Sequence, residues 1–339
     1  RHRGGTLVFL MGVGALPEIV SGLLEAGMDP DTPAAMVERG TTPLQRRCTA
    51  ALRDLPDRAA AMGICSPAAI IVGQVCALAE KFDWFDRLPL KGRRILVTRP
   101  RERTGTLAEK LRALGADVTE CPCIDIVPLD PCPALEEALG NLSRYEWLAF
   151  TSPAGVETVW NRLRALGKDA RIFGGVRLAA VGGGTAKALE DCGLSADLVP
   201  EIYDAKHLGE ALAERARGNV LILRAQEGSP ALTGALDRAG VPYDDIAVYR
   251  TVYGAPQPEE LRRALETGEL EYVTFTSAST VKGFVSAVGT DADFGRILGL
   301  CIGEQSASEA RKYGIPVKIA KKAAIDALVE LAAEQSEEE

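Results

Sequence analysis

From Arg93 to its C-terminus the chain repeats itself with a period of 125 residues, and no other feature constrains the fold as strongly. Ile95-Leu96-Val97-Thr98-Arg99 returns as Val220-Leu221-Ile222-Leu223-Arg224, and the LRALG of residues 111–115 returns as the LDRAG of residues 236–240. Phe150-Thr151-Ser152 returns as Phe275-Thr276-Ser277. The turn Val181-Gly182-Gly183-Gly184-Thr185 returns, after a shorter spacer, as Ile302-Gly303-Glu304-Gln305-Ser306. A unit of this size is a small α/β layer and not one turn of a solenoid. Two such layers facing one another are expected to form a cleft lined by two sets of Thr, Ser and Gly, suited to an anionic or polar small molecule. Residues 1 to about 90 lie outside the repeat.

A chain of 339 residues exceeds one ordinary core and points to two or three domains. With 47% hydrophobic and 25% charged residues it has the composition of a globular protein rather than a disordered one. The longest weakly polar run, residues 67–79, is shorter than the roughly 20 residues a bilayer span needs, so no membrane partner is expected. Eight cysteines without CxxC spacing, several in apolar strand-like context, read as free thiols in a reducing cytosol and not as a zinc site. No leading signal peptide is visible, although the chain begins without Met, and a cytoplasmic location is expected. A net charge of −8, with no long Lys/Arg run, disfavours nucleic acid as a partner. The acidic end, residues 336–339, reads as a solvated tail.

The expected class is α/β, with parallel sheets flanked by helices. Residues 6–13, 34–38 and 69–73 read as strands of the first segment, with helices over 16–26 and around 56–62. Gln45, Arg46 and Arg47 fall in a charged connecting stretch, and residues 81–92 read as an anchored connection. Beyond it, strands are expected at 94–98, 147–151, 177–181, 220–224, 246–250, 272–276, 299–303 and 317–320. Helices are expected over 104–114, near 160, 188, 211 and 235, over 280–288 and 306–313, and from about 323. Pro128, Pro131 and Pro133, and later Gly254, Pro256 and Pro258, read as breakers.

Absences narrow the chemistry. The only histidines are His2 and His207, both read as surface residues, so a Ser–His–Asp triad or a histidine metal site lacks its central group. There is no G-x-G-x-x-G after the opening strands and no P-loop. What remains is a set of helix starts at strand ends: Thr151-Ser152, Thr276-Ser277, Thr185 and Ser306. The first N–H groups of a helix lack internal partners and favour negative charge, so small hydroxyl residues there suit a carboxylate; each is equally an ordinary N-cap. Arg99 and Arg224 hold matching positions after a strand, where a guanidinium could clamp a carboxylate or form an internal salt bridge. Tyr249, at the end of a strand, could donate a hydrogen bond to a departing hydroxide or pack half-buried.

Residues 93 to about 335 resemble uroporphyrinogen-III synthase. The resemblance is carried by RILVTRP at the start, FTSPAGV at 150–156, AVGGGTAKAL at 180–189, IAVYRTV at 246–252, and the later FTSASTV and CIGEQSASEA blocks. It implies two α/β lobes joined by a two-stranded connector. One lobe would hold 93–128 and 251–335, the other 129–250, with a linker over 86–92. It also implies cyclisation of linear hydroxymethylbilane to uroporphyrinogen III, with inversion of ring D, loss of water and no cofactor. By the same resemblance Tyr249 assists hydroxide departure. Arg99, Thr151, Ser152, Gly183, Thr185, Arg224, Thr276, Ser277, Gln305 and Ser306 bind substrate. Ser306 stands where the family more commonly has Thr.

Residues 1 to about 90 are similar to the C-terminal half of uroporphyrinogen-III C-methyltransferase, through LVFLMGVGALPEI, DTPAAMVERGTTPLQRR and SPAAIIVGQV. The resemblance implies that Met11, Gly12, Ala35, Gly40 and Thr41 lie against S-adenosylmethionine when the rest of that domain is present, although core packing is the ordinary role of a Met such as Met11. This incomplete part is expected to be incapable of methyl transfer by itself, to derive from a longer fused enzyme, and to expose apolar surface for its other half or for dimerisation. Two alternatives stand beside the synthase reading: a methyltransferase carrying a degenerate synthase module, and a non-catalytic two-lobed carboxylate binder.

Overall fold

The computed structural model describes residues 5–99 and 105–338; His2, Pro100, the expected helix start at Thr104, and Glu339 lie outside them. In chain order the first segment holds β1 (Leu7–Leu10), α1 (Leu16–Glu25), β2 (Pro33–Glu38), β3 (Arg46–Ala51), α2 (Leu55–Ala61) and β4 (Ala68–Val72). There follow β5 (Arg94–Val97), α3 (Gly105–Ala113), β6 (Asp117–Glu120), β7 (Ile124–Pro128), α4 (Pro133–Gly140), β8 (Tyr145–Phe150) and α5 (Pro153–Ala165). Next come β9 (Arg177–Ala180), α6 (Gly183–Asp191), α7 (Ala205–Arg215), β10 (Asn219–Ala225), α8 (Pro230–Ala239) and β11 (Tyr243–Tyr253). The chain closes with α9 (Pro258–Glu266), β12 (Tyr272–Phe275), α10 (Ala278–Val288), β13 (Leu298–Cys301), α11 (Glu304–Arg311), β14 (Val317–Ile319) and α12 (Ile325–Glu338).

By its contacts the chain divides into two units. One runs to Cys121 and resumes over Gln257–Val281 and from Val288; the other holds Pro122–Pro256 with Lys282–Ala287. The first unit contains two sheets. The antiparallel sheet of the first segment has the order β1-β4-β2-β3 and buries Met36, Ile70 and Val72 against Leu16 and Val20 of α1 and Leu55 and Ala59 of α2. Its fourth strand, β3, lies where the sequence reads as charged connection. The strand forms because Arg46 stands opposite Glu38 and donates to that buried carboxylate through Nε at 2.9 Å, while Cys48 enters the core. Residues 81–92 are anchored on both sides. Lys91 Nζ donates to the Gln45 carbonyl at 2.9 Å, Arg47 pairs with Asp83 at 3.1 Å, and Leu90 is buried with Ile95.

The repeat reappears as matched sheet topology. The second sheet of the first unit has the parallel order β14-β13-β12-β5-β6, and the sheet of the second unit has the order β7-β11-β10-β8-β9. Strands β13-β12-β5-β6 occupy the same sequence of places as β9-β8-β10-β11, and Gly115 (φ 93°) and Gly240 (φ 67°) stop the equivalent helices in a conformation that favours glycine. In the second unit β10 is buried on both faces. Leu221 and Leu223 join Val156, Val159 and Leu163 of α5, while Val220 and Ile222 join Leu208, Leu212, Leu232 and Leu236 of α7 and α8. Period-two alternation sends these residues to opposite helix layers. Strand β11 is long because it serves two partners: it runs parallel to β10 as far as Tyr249 and antiparallel to β7 from Tyr249 to Tyr253.

Three expectations differ from what is observed. The first is β3, described above as a strand. The second concerns the proline clusters, which do not merely interrupt structure: Pro133 and Pro258 each open a helix, α4 and α9, where the missing N–H costs nothing. The third is the acidic end, which is not an extended tail, since α12 continues through residue 338. Among the described residues no helix is long and apolar enough to cross a membrane.

Gly209 allows α7 and α8 to pack closely, since a Cβ there would sit 2.8 Å from the Leu232 carbonyl oxygen and 2.9 Å from the Ala235 Cβ. Gly209→Ala gains up to about 1 kcal/mol of helix propensity and costs about 1–3 kcal/mol of overpacking, so the net change is destabilising. A lower urea midpoint is expected; an unchanged or higher one contradicts this packing. Tyr145, buried, donates to Asp244 at 2.5 Å, and burial together with that carboxylate pushes its phenol up to about 12. The folded chain then keeps a proton that the unfolded chain loses above the ordinary value of 10.0. This contribution is fully present below pH 10.0 and is lost as the pH rises toward about 12. Denaturant midpoints followed across that range should fall less steeply in Tyr145→Phe than in the parent chain.

Candidate active site

In the second unit the buried strand β8 ends at Phe150, and Thr151 and Ser152 lead into α5 with Pro153 at its first position. Ser152 is the N-cap in extended conformation, and its Oγ accepts from the Gly155 N–H at 3.0 Å. The same Oγ lies 2.9 Å from the Tyr249 hydroxyl. Tyr249 sits where β11 changes partner, opposite Ala225 on β10 and Pro128 on β7, and its carbonyl accepts from the Gln226 N–H at 2.8 Å. A Cβ on Gly155 would press on the Leu223 carbonyl oxygen at 3.3 Å and merely touch the Tyr249 ring at 3.9 Å, so this glycine answers to β10. The bond order has a chemical consequence. Ser152 Oγ already accepts from Gly155 and keeps its own proton; when that proton is given to the Tyr249 oxygen, the phenol O–H can be directed to another group.

The neighbouring start belongs to α6. Gly182 is its N-cap and offers no side chain to the first turn, which Gly183, Gly184 and Thr185 form. A Cβ on Gly184 would lie 3.9 Å from Pro153, so the starts of α5 and α6 adjoin. Thr185 is 2% exposed, and no hydrogen bond from its hydroxyl is found among the described residues. Its counterpart Ser306, equally buried at the start of α11, donates to the Gly303 carbonyl at 2.8 Å. The sequence reading missed Tyr203. Its ring lies on the α6 turn, so that a Cβ on Gly182 would meet Cγ at 2.7 Å, and one on Gly183 would lie 3.6 Å from the hydroxyl. Gly182 has an extended backbone (φ −178°) that any residue adopts, so its missing side chain answers to the ring beside it, which no local sequence signal marks.

The remaining expected positions divide. Arg224 is 9% exposed and engaged internally: Nε donates to Asp245 Oδ1 at 2.8 Å, Nη2 to Oδ2, and Nη1 to the Ser229 carbonyl. This is the salt-bridge reading of that residue. In the first unit Arg99 follows β5. Thr276 and Ser277 precede α10, where Ser277 Oγ accepts from the Thr280 N–H at 3.2 Å, and Gln305 is exposed in the first turn of α11. In the first segment, β1 and β2 both run antiparallel to β4 between them, so Met11 and the turn carrying Gly40 and Thr41 lie at one end of the sheet. Met11 (φ 56°), Arg39 (φ 48°) and Thr41 (φ 60°) all hold the left-handed conformation, and Met11 is 98% exposed. Ala35 is buried within β2, and Gly12 lies close to Ile19 and Ile70. No cluster of His, Cys, Asp or Glu among the described residues could hold a metal ion.

The family model described as uroporphyrinogen-III synthase HemD matches residues 105–330, more than half of the chain. A protein of Ruminiclostridium josui named porphyrin biosynthesis protein HemD is 42% identical over 332 residues, 97% of this chain and 66% of that protein. The uroporphyrinogen-III C-methyltransferase of Bacillus subtilis is 33% identical over 151 residues, 44% of this chain and 30% of that protein. The chain thus spans less than two thirds of the length of either relative. Among solved structures, the crystal structure of a mutant uroporphyrinogen III synthase from the extreme thermophile Thermus thermophilus shares the fold. Its TM-score is 0.53 at 21% identity, over 73% of this chain and 99% of that one. The chain belongs to the uroporphyrinogen-III synthase family.

Proposed function

We propose that the chain closes linear hydroxymethylbilane to uroporphyrinogen III, inverting ring D and releasing water. The observation that carries this reading is the Ser152–Tyr249 hydrogen bond beside two adjoining helix starts. The substrate carries carboxylates along its length. The first-turn N–H groups of α6 and the Ala154 N–H of α5, with the hydroxyls of Thr151 and Thr185 and the bare backbone at Gly183, receive them, while Ser152 commits its proton to Tyr249. Arg99, Thr276, Ser277 and Gln305 make a second such set in the first unit. Ser306, whose proton is committed to Gly303, shapes its turn instead of donating. Arg224 holds the end of β10 through Asp245.

With Ser152 donating to its oxygen, Tyr249 turns its own proton to the hydroxyl leaving the substrate's terminal carbon. The resulting azafulvene-type cation is attacked by the substituted carbon of ring D; the spiro intermediate fragments and recloses at the unsubstituted carbon of that ring, and the proton this carbon loses returns to the Tyr249 oxygen. Water is the only product besides the macrocycle, and no electrons are gained or lost, so the synthase requires no cofactor. Holding one folded pose of a flexible chain supplies most of the advantage over simple head-to-tail closure.

The first segment corresponds in this reading to the C-terminal half of a uroporphyrinogen-III C-methyltransferase, joined to the synthase so that the product of one is the substrate of the other. Met11, Gly12, Ala35, Gly40 and Thr41 fit one wall of a site for S-adenosylmethionine, because three left-handed residues present main chain at the same sheet end. That cofactor would supply a methyl group. The exposed apolar residues Val8 and Leu10 of the edge strand β1 form a face for the other half or for a second subunit.

The test is incubation with hydroxymethylbilane without S-adenosylmethionine, followed by separation of isomers. Type III as the main product is expected; type I alone overturns the synthase reading and favours a degenerate module. Tyr249→Phe is expected to lower kcat by about 10- to 100-fold without abolishing turnover, near or below the low end of general-acid contributions. Unchanged turnover removes Tyr249 from the mechanism. Asp245→Asn is expected to destabilise the fold by about 1–3 kcal/mol by leaving the Arg224 charge short of a partner, with KM unaltered. A raised KM at full stability would return Arg224 to the binding set.

A further inference from the structure

We infer that Tyr203 is a substrate-positioning residue, its phenol hydroxyl donating to a substrate carboxylate received at the first turn of α6 while its ring packs against the adjoining pyrrole. The inference rests on the synthase reading. Tyr203 is placed by α7, whose N-cap Asp204 follows it directly: the Asp204 carboxylate accepts from the His207 N–H at 2.8 Å, and the Asp204 N–H donates to the Ile202 carbonyl at 2.9 Å. From there the ring crosses to α6 and rests on Gly182, which has no conformational need to be glycine. The missing side chain at Gly182 lets the ring reach this turn, since a Cβ there would meet the ring's Cγ at 2.7 Å.

Tyr203 stays 49% exposed, and Val199 and Ile202 on the same segment are exposed too, at 37% and 55%. A tyrosine in a core buries its ring; this one presents an apolar face and a hydroxyl outward, next to a helix start that no side chain caps. Thr185, the third residue of the same turn, is 2% exposed and brings a second hydroxyl to this helix start. Two hydroxyl donors and the uncapped N–H groups thus surround one place, and a carboxylate satisfies all of them. The flat, electron-rich pyrrole bearing that carboxylate suits the apolar face.

Steady-state kinetics with isomer analysis on Tyr203→Phe and Tyr203→Ala test this. Tyr203→Phe removes one exposed oxygen and leaves the ring on Gly182. KM is expected to rise about 5- to 10-fold with kcat within about twofold, the size of one charge-assisted hydrogen bond at a partly exposed site. Tyr203→Ala is expected to raise KM further and to increase the share of type I product, because the ring no longer holds the chain's pose. Circular dichroism and the thermal midpoint of Tyr203→Phe should match the parent, which separates positioning from folding. If the parent chain makes type III isomer and both variants keep its KM and isomer ratio, Tyr203 has no positioning role. If the parent makes no type III isomer, the synthase reading and this inference fall together.

Discussion

A helix that follows a buried parallel strand begins with N–H groups that have no partner inside the helix, and the second unit turns this constraint into its chemistry. Strands β8 and β9 are buried neighbours in one sheet, so α5 and α6 must start side by side at the same sheet end. One start is capped by Ser152, whose hydroxyl is tied to Tyr249; the other is left bare by three successive glycines. A polar lining is the outcome without any buried charge pair, His or metal ligand. In the proposed reaction, a carboxylate-rich substrate that must be curled and dehydrated needs donors at fixed places more than it needs a strong base.

The same economy explains why two matched layers do not behave identically. Thr185 and Ser306 occupy equivalent turns and are equally buried, yet only Ser306 turns its hydroxyl back to a main-chain carbonyl. Arg224 lies within β10, where a bidentate bond to Asp245 on the adjacent strand β11 holds its guanidinium inside the unit. Repetition fixes the places; the neighbours decide what each place does.

Much of this organisation is legible in the amino-acid order because strand and helix periodicities are strong where both faces of a sheet are covered, as in β10. The repeat also locates the helix starts, Ser152 among them, whereas Tyr249, read at a strand end, lies inside the longer β11 where that strand changes partner. What escapes has physical reasons. Strand β3 begins with two arginines and owes its place to the cross-strand partner Glu38, invisible locally. Helices α4 and α9 begin at prolines that read equally as breaks. Tyr203 lies about 20 residues beyond the glycine turn it covers, and only a structure brings the two together. The engagement of Arg224 likewise depends on Asp245 standing on the next strand, a pairing that spacing alone leaves open.

The central claim is that the first turns of α5 and α6 receive carboxylates. Backbone amide NMR of the labelled chain, titrated with the stable oxidised octacarboxylate macrocycle, addresses it directly. The account predicts saturable shifts concentrated at Gly183, Gly184, Thr185 and the first turn of α5. Shifts confined to other surfaces, with those amides unmoved at saturation, would contradict it.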